Sequence, residues 1–217
     1  MSNKSPARLK RMAVIAHAQA ATGEISTEAM QLQMQFRNHL QALKAIHGIQ
    51  DKAVLKAEIL PEYAGYIDGI LEAGQLPPND TLYPVLLLWT IDSGDLDQAA
   101  IMAPLVIFNP DAVIHLDDFQ RTAPVAVFEQ FAEQLPITGI SDTALAYMLE
   151  QAQAKTETGT HLVDMPDKVR AKFFRAAAEL IESKDPRDAL HLYESALAYD
   201  AKAGVKQKID KLQKQLV

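Results

Sequence analysis

The 217-residue sequence contains no cysteine, which excludes disulfides, thiolate metal sites and cysteine nucleophiles and leaves no sign of secretion or redox work. A reducing cytoplasm is the expected setting. No G-x-x-x-x-G-K-[ST] run occurs, so the glycine-rich anion cradle of a P-loop motor is absent. No Gly-x-Ser-x-Gly elbow is present, and the six histidines are scattered without H-E-x-x-H or comparable ligand spacing. The N-terminus, MSNKSPARLKRMAVIAHAQAATGE, is basic at first, but its apolar run spans only Met12 to Ala16. That falls short of a signal-peptide core or a ~20-residue span, so neither an export signal nor a membrane segment is expected.

One charge sign is also missing over a long stretch. Residues 57–120 hold no Lys or Arg and eleven acids. Residues 1–56 carry eight bases (Lys4, Arg8, Lys10, Arg11, Arg37, Lys44, Lys52 and Lys56) against Glu24, Glu28 and Asp51. The formal charge of −7 is therefore segregated. A polyanion gathers at clustered cations and avoids an acidic surface, because phosphate neutralisation with counterion release drives non-specific affinity. The first 56 residues are thus the sizeable DNA-facing candidate, although charge blocks also arise as solvated faces.

What is present is helical periodicity. The chain is 48% hydrophobic with one Trp and six Tyr, enough for a core in one large or two small domains. No stretch sustains strand-like alternation, so an all-α, multi-helix protein is expected. Residues 5–21 read as a basic helix or arm ended near Gly23. From 26 to 47, Ala29, Leu32, Phe36, Leu40, Leu43 and Ile46 form an apolar stripe beside Gln33, Arg37, Gln41 and Lys44. Asp51 is read as the cap of a further helix, bent or restarted at Pro61, with Lys52 and Lys56 on one face. Gly74, Pro77 and Pro78 mark a boundary.

Asp80 then caps an apolar core helix over Thr81–Ile91, and Ser93-Gly94 turns the chain into a second helix capped by Asp95. Asn109, Pro110 and the polar stretch from Asp117 to Ala123 read as irregular connections, followed by helices from about Pro124 to Leu135 and from Asp142 to about Gln153, and then a KTETGTH loop. Asp164 and Pro166 open a helix running to Ser183, a turn at 184–186 precedes another, and Gly204 precedes a third with Val205, Ile209, Leu212 and Leu216 in a heptad-like seam. That seam either packs back on the preceding hairpin or meets a partner. Aligning Ser93-Gly94-Asp95 with Ser183-Lys184-Asp185 superposes Ile91 on Ile181 and Ala99 on Ala189, so the hairpins look like related tetratricopeptide-type units. The reading divides the chain into a basic arm (1–22), a helical DNA-binding and assembly region (23–75), an acidic central region (76–160) and a C-terminal hairpin with a terminal helix (161–217).

No catalytic constellation stands out, and no cofactor or metal is implied. Asp92, Asp95 and Asp97 lack the glycine, further oxygens and terminal Glu of a calcium loop and read as a capped turn. Asp117 and Asp118 could imitate a metal-dependent nuclease pair, but no third acid with an accessory Lys accompanies them.

The segments SPARLKRM, LKAI with Ile-Leu-Pro some fifteen residues later, ILEAG, LLLWTIDSGDLDQAA, VDMPDKVRAKF, DALHLYESALAYD and AGVKQKIDKLQKQL resemble one family. It is the small terminase subunit of temperate, contractile-tailed phages with cohesive genome ends. The resemblance implies a non-enzymatic protein in the host cytoplasm that binds double-stranded viral DNA near the cohesive-end site. It further implies a homo-oligomer, plausibly a ring, that passes DNA to a large ATPase and endonuclease subunit. The chain ends at Val217 without a long basic tail, so the DNA role falls to the N-terminal cations and to the terminal lysines. The alternative is a tetratricopeptide-like adaptor that binds protein alone.

Overall fold

The computed structural model describes residues 27–109, 112–116 and 119–216. The basic arm and the Asp117-Asp118 pair lie outside the described residues. The fold is all-α in class. Helix α1 spans Thr27–Ala45 and α2 Ile49–Ile59; a 3-10 turn at Leu60–Tyr63 leads into α3, Ala64–Ala73. Next come α4 (Leu82–Asp92), α5 (Leu96–Met102) and α6 (Pro104–Ile107), then α7 (Ala123–Thr138) and α8 (Asp142–Gln153). The last three helices are α9 (Asp167–Ile181), α10 (Pro186–Tyr199) and α11 (Lys206–Leu216).

Helix α4 organises the packing. Every position from Tyr83 to Ile91 is buried, because LYPVLLLWTI is apolar all round and has no face to give to water. α2, the 3-10 turn, α5, α7 and the segment before α7 cover it on successive sides. Its one polar interior residue, Thr90, is satisfied by donating Oγ1–H to the Leu86 carbonyl at 2.9 Å. Asp80 sits at its start, where Oδ1 accepts from the Leu82 and Tyr83 amides at 2.8 and 3.3 Å and Oδ2 accepts from the Tyr66 hydroxyl at 2.5 Å. One carboxylate thus ties α3 to the start of α4.

A small β-hairpin, which no strand-like pattern announced, lies between α6 and α7, and its second strand falls in the stretch 117–123 read as irregular. Strand β1, Val113–Leu116, pairs antiparallel with β2, Phe119–Thr122, with Val113 opposite Thr122. Four residues per strand are too few to display a period-2 pattern, but Ile114 is fully buried and β1 packs on α4 and α7. Two caps also differ from expectation. α2 begins at Ile49 after Gly48, so Asp51 lies inside the first turn, where its charge still favours the helix dipole. α9 has Pro166 at its cap position with no side-chain cap, so Asp164 does not close that end.

The two hairpins correspond closely. Asp95 accepts from the Gln98 amide at 3.1 Å and Asp185 from the Asp188 amide at 3.0 Å, and Ala99 and Ala189 are both fully buried. Gly94 adopts φ +88°, and a Cβ there would meet Thr138 Cγ2 at 2.7 Å, so this turn is reserved for glycine. The C-terminal hairpin buries Val205, just before α11, and Ile209 and Leu212 within it in a small separate cluster with Ala178, Ala189 and Tyr193, so these three residues of the seam pack back on their own chain.

Among the described residues Arg170 is the one buried cation, 1% exposed. Its Nη1–H donates to the Ala152 carbonyl and Nη2–H to the Val163 carbonyl at 3.0 Å, while Tyr199 covers the guanidinium at 5.4 Å. It thereby staples both ends of the 154–163 loop to α9. His161, on that loop, has its pKa lowered by burial first and then by the Arg170 and Lys155 charges.

Truncating Leu87 to Ala in the fully buried α4 should cost about 2–5 kcal/mol in chemical denaturation. Because the folded state disfavours protonated His161, the unfolded chain binds the extra proton as pH falls below about 6.5. Stability should decline over that window, and His161→Gln should flatten the decline in melts from pH 7.5 to 5.5.

Candidate nucleic-acid interface

Helix α1 forms because its apolar residues recur every three or four positions. Leu32 and Leu43 are buried, and Phe36 and Leu40 pack at the edge of the same core. Phe36 meets Trp89 at 5.4 Å and Tyr63 at 6.4 Å between ring centroids, which fixes the helix against α4 and the 3-10 turn. A polar set reinforces that seat. His39 Nδ1 lies 2.8 Å from the Tyr63 hydroxyl, and Gln35 donates to Glu62 at 2.5 Å. Burial, followed by the Glu62 charge, pushes the Tyr63 hydroxyl well above its ordinary value. It therefore stays protonated, as a structural contact rather than a nucleophile.

With that face inward, Arg37 and Lys44 point outward, both exposed, two turns apart on the same polar edge as Gln41. Two helical turns span about 10.5 Å, enough for two phosphates on one strand. The short turn Ile46–Gly48 reverses the chain into α2, whose Lys52 is half-buried. Arg37 and Lys52 make no ion pair among the described residues, so neither charge is committed. Lys4, Arg8, Lys10 and Arg11 lie outside the described residues.

Lys56 has a different setting. Its ammonium pairs with the Asp92 carboxylate at the end of α4, with side-chain exposures of only 15% and 23%. Burial raises the pKa of Asp92, while Lys56 lowers it in opposition. A phosphate could capture Lys56 only by leaving a buried carboxylate unpaired, so this lysine joins α2 to α4. No local pattern reveals the pair, because the partners stand 36 residues apart. The Arg170 staple was equally invisible, since its acceptors are backbone carbonyls.

The three aspartates near the first hairpin also part company. Asp92 faces Lys56, Asp95 caps α5, and Asp97 accepts from the Ser141 amide at 3.3 Å as well as from its hydroxyl. Among the described residues no group of three or more His, Cys, Asp or Glu is placed to hold a metal ion.

The sequence profile described as phage small terminase subunit matches residues 33–168, from α1 through the start of α9. The chain belongs to that family. It is also 29% identical over 219 residues to a protein of Escherichia phage P2 named "Terminase, endonuclease subunit", with 98% of this chain and 85% of that protein covered. No solved structure matches it. The matched region holds α1 from residue 33 onward, α2 and the whole of α4, so the exposed Arg37 and Lys44 and the half-buried Lys52 lie within the family's own segment.

Replacing Lys56 by Ala should cost about 3–5 kcal/mol by stranding Asp92, whereas Lys56→Met with Asp92→Leu should recover most of that loss. Denaturant melts of Lys56→Met, Asp92→Leu and the double variant measure the coupling directly.

Proposed function

We propose that this terminase-family chain is the DNA-recognition subunit of a packaging complex. It holds duplex viral DNA near the cohesive-end site through Lys4, Arg8, Lys10, Arg11, Arg37, Lys44 and Lys52, assembles as a homo-oligomer in the host cytoplasm, and presents the DNA to a large subunit that carries ATPase and nuclease chemistry. Lys56 is assigned to the fold in this reading. The observation that supports it most is the charge segregation: exposed cations on α1 beside a segment, 57–120, with no Lys or Arg. Family membership supplies the packaging role. Among the described residues no helix is long and apolar enough to cross a membrane.

A second reading comes from the name of the phage P2 relative, which is called an endonuclease subunit. Under it, this chain itself would cut DNA, and Asp117 with Asp118 would be the acids. Magnesium-dependent nicking by purified chain, abolished by Asp117→Asn/Asp118→Asn, would establish that reading against the non-catalytic one.

The binding proposal is tested by reversing Arg37, Lys44 and Lys52 to Glu, with a parallel set at Lys4, Arg8, Lys10 and Arg11. Mobility shifts on a cohesive-end duplex and an unrelated duplex at several salt concentrations should show weaker binding. The slope of log K against log salt should be shallower by roughly 0.9 for each phosphate contact removed. Binding to neither duplex by the unaltered chain would favour the adaptor, and unaltered slopes would remove these residues from the interface.

A further inference from the structure

The first hairpin carries an apolar face that its fold uses only in part, through Leu105 at the edge of the core. Ala103 is itself helical, at φ −55° and ψ −40°, so α5 and α6 continue along one path. Asp97, Ile101, Pro104, Leu105 and Phe108 fall within about 100° of arc on that path at 100° per residue. Ile101 is 59% exposed and Phe108 44%, and Pro104 and Leu105 are half-exposed. Ala99, Met102, Ala103 and Val106 already anchor the opposite face, all fully buried.

The second hairpin provides an internal control. Under the 90-residue superposition, Ala99, Ala103 and Val106 correspond to Ala189, Tyr193 and Ala196, every one fully buried. The outward positions correspond to Arg187, His191, Glu194, Ser195 and Ala198, a polar set bearing one small apolar side chain. Hairpin packing therefore does not require bulky apolar residues at 101, 105 and 108.

Charge decides what covers this face. Asp95 and Asp97 stand at its leading end, fixed by the Gln98 amide and by Ser141, and neither has an ion-pair partner among the described residues. The chain offers no Lys or Arg from 57 to 120 to neutralise them. A second copy docked with its helices parallel would bring these carboxylates against their own images, and an antiparallel copy would set them against the Phe108 end, which carries no Lys or Arg. A helix with Lys or Arg beside an apolar stripe satisfies both parts: the stripe covers Ile101, Leu105 and Phe108, and its cations meet Asp95 and Asp97.

We propose that the α5–α6 face is the docking surface for a basic amphipathic helix of the large terminase subunit. This rests on the packaging-subunit reading and names where its motor partner binds. The face lies on α5 and α6, elements other than the helix that carries Arg37 and Lys44.

The test measures affinity between the purified full-length chain and the large subunit of the same phage by biolayer interferometry. The variants are Ile101→Ser/Phe108→Ser and Asp95→Asn/Asp97→Asn, the second retaining the cap's acceptor while removing charge. An exposed apolar control, Ile49→Ser, lies 84% exposed on α2. The apolar pair should weaken binding by about ten-fold or more, and the Asn pair should weaken it several-fold with a flatter salt dependence. Ile49→Ser should leave it unchanged, as should DNA mobility shifts for all three. Wild-type affinity in both double variants, with large-subunit binding intact, overturns the surface assignment alone. No binding by the unaltered chain overturns it together with the packaging reading. A change of assembly mass by light scattering in the apolar pair, at unchanged large-subunit affinity, makes the face a self-interface and also overturns it.

Discussion

An α-helix with no polar side must be enclosed. α4 is such a helix, and most of the architecture serves that requirement: α2, the 3-10 turn, α5, α7 and the β-hairpin each cover a sector of it. Burying eight large side chains or more in this way supplies roughly 1.5–3 kcal/mol for each, against the backbone ordering that the surrounding elements pay. Enclosure also dictates where charge can go. The acids of the 57–120 segment stand mostly on outward positions such as Glu58, Asp68, Glu72, Asp95 and Asp97, and Asp92, at the helix's exit, is tolerated only with Lys56 against it.

The same constraint separates the two kinds of surface. α1 reaches the central helix through one aromatic contact region, Phe36 with Tyr63 and Trp89, and so leaves a polar edge with Arg37 and Lys44 in solvent. The first hairpin contributes its small residues inward and keeps acids and uncovered apolar groups outside. The function proposed above requires two unlike surfaces on one subunit, and it is the segregation of charge, not its total, that sets the exposed cations of α1 apart from the acidic first hairpin.

Legibility in the sequence followed the range of each interaction. The stripe of α1, the cap at Asp95 and the α11 seam are written within four to eleven residues, and all three could be read from spacing. Asp80 was legible as a cap, but its second bond to Tyr66 was not. The β-hairpin escaped because its strands are shorter than the pattern that would reveal them, and Asp164 misled because Pro166 took the cap position itself. For the candidate site, residue type and charge block were visible while exposure was not. Lys52 and Lys56 look alike on a helical wheel, yet one is half-buried without an acid and the other closes an ion pair with a residue 36 positions away.

The terminal helix illustrates how unevenly such a molecule holds together. α11 is fastened by three apolar side chains in a cluster separate from the main core and by Glu182. That carboxylate accepts from Tyr193 at 2.8 Å and from Lys208 at 2.7 Å, and these bonds hold its pKa below the usual carboxylate range. The contribution is present above about pH 4.5 and fades as acid protonates the group. Held by a cluster apart from the main core, the end of the chain is expected to open, and to exchange its amide hydrogens, at a lower free energy than the enclosure around α4.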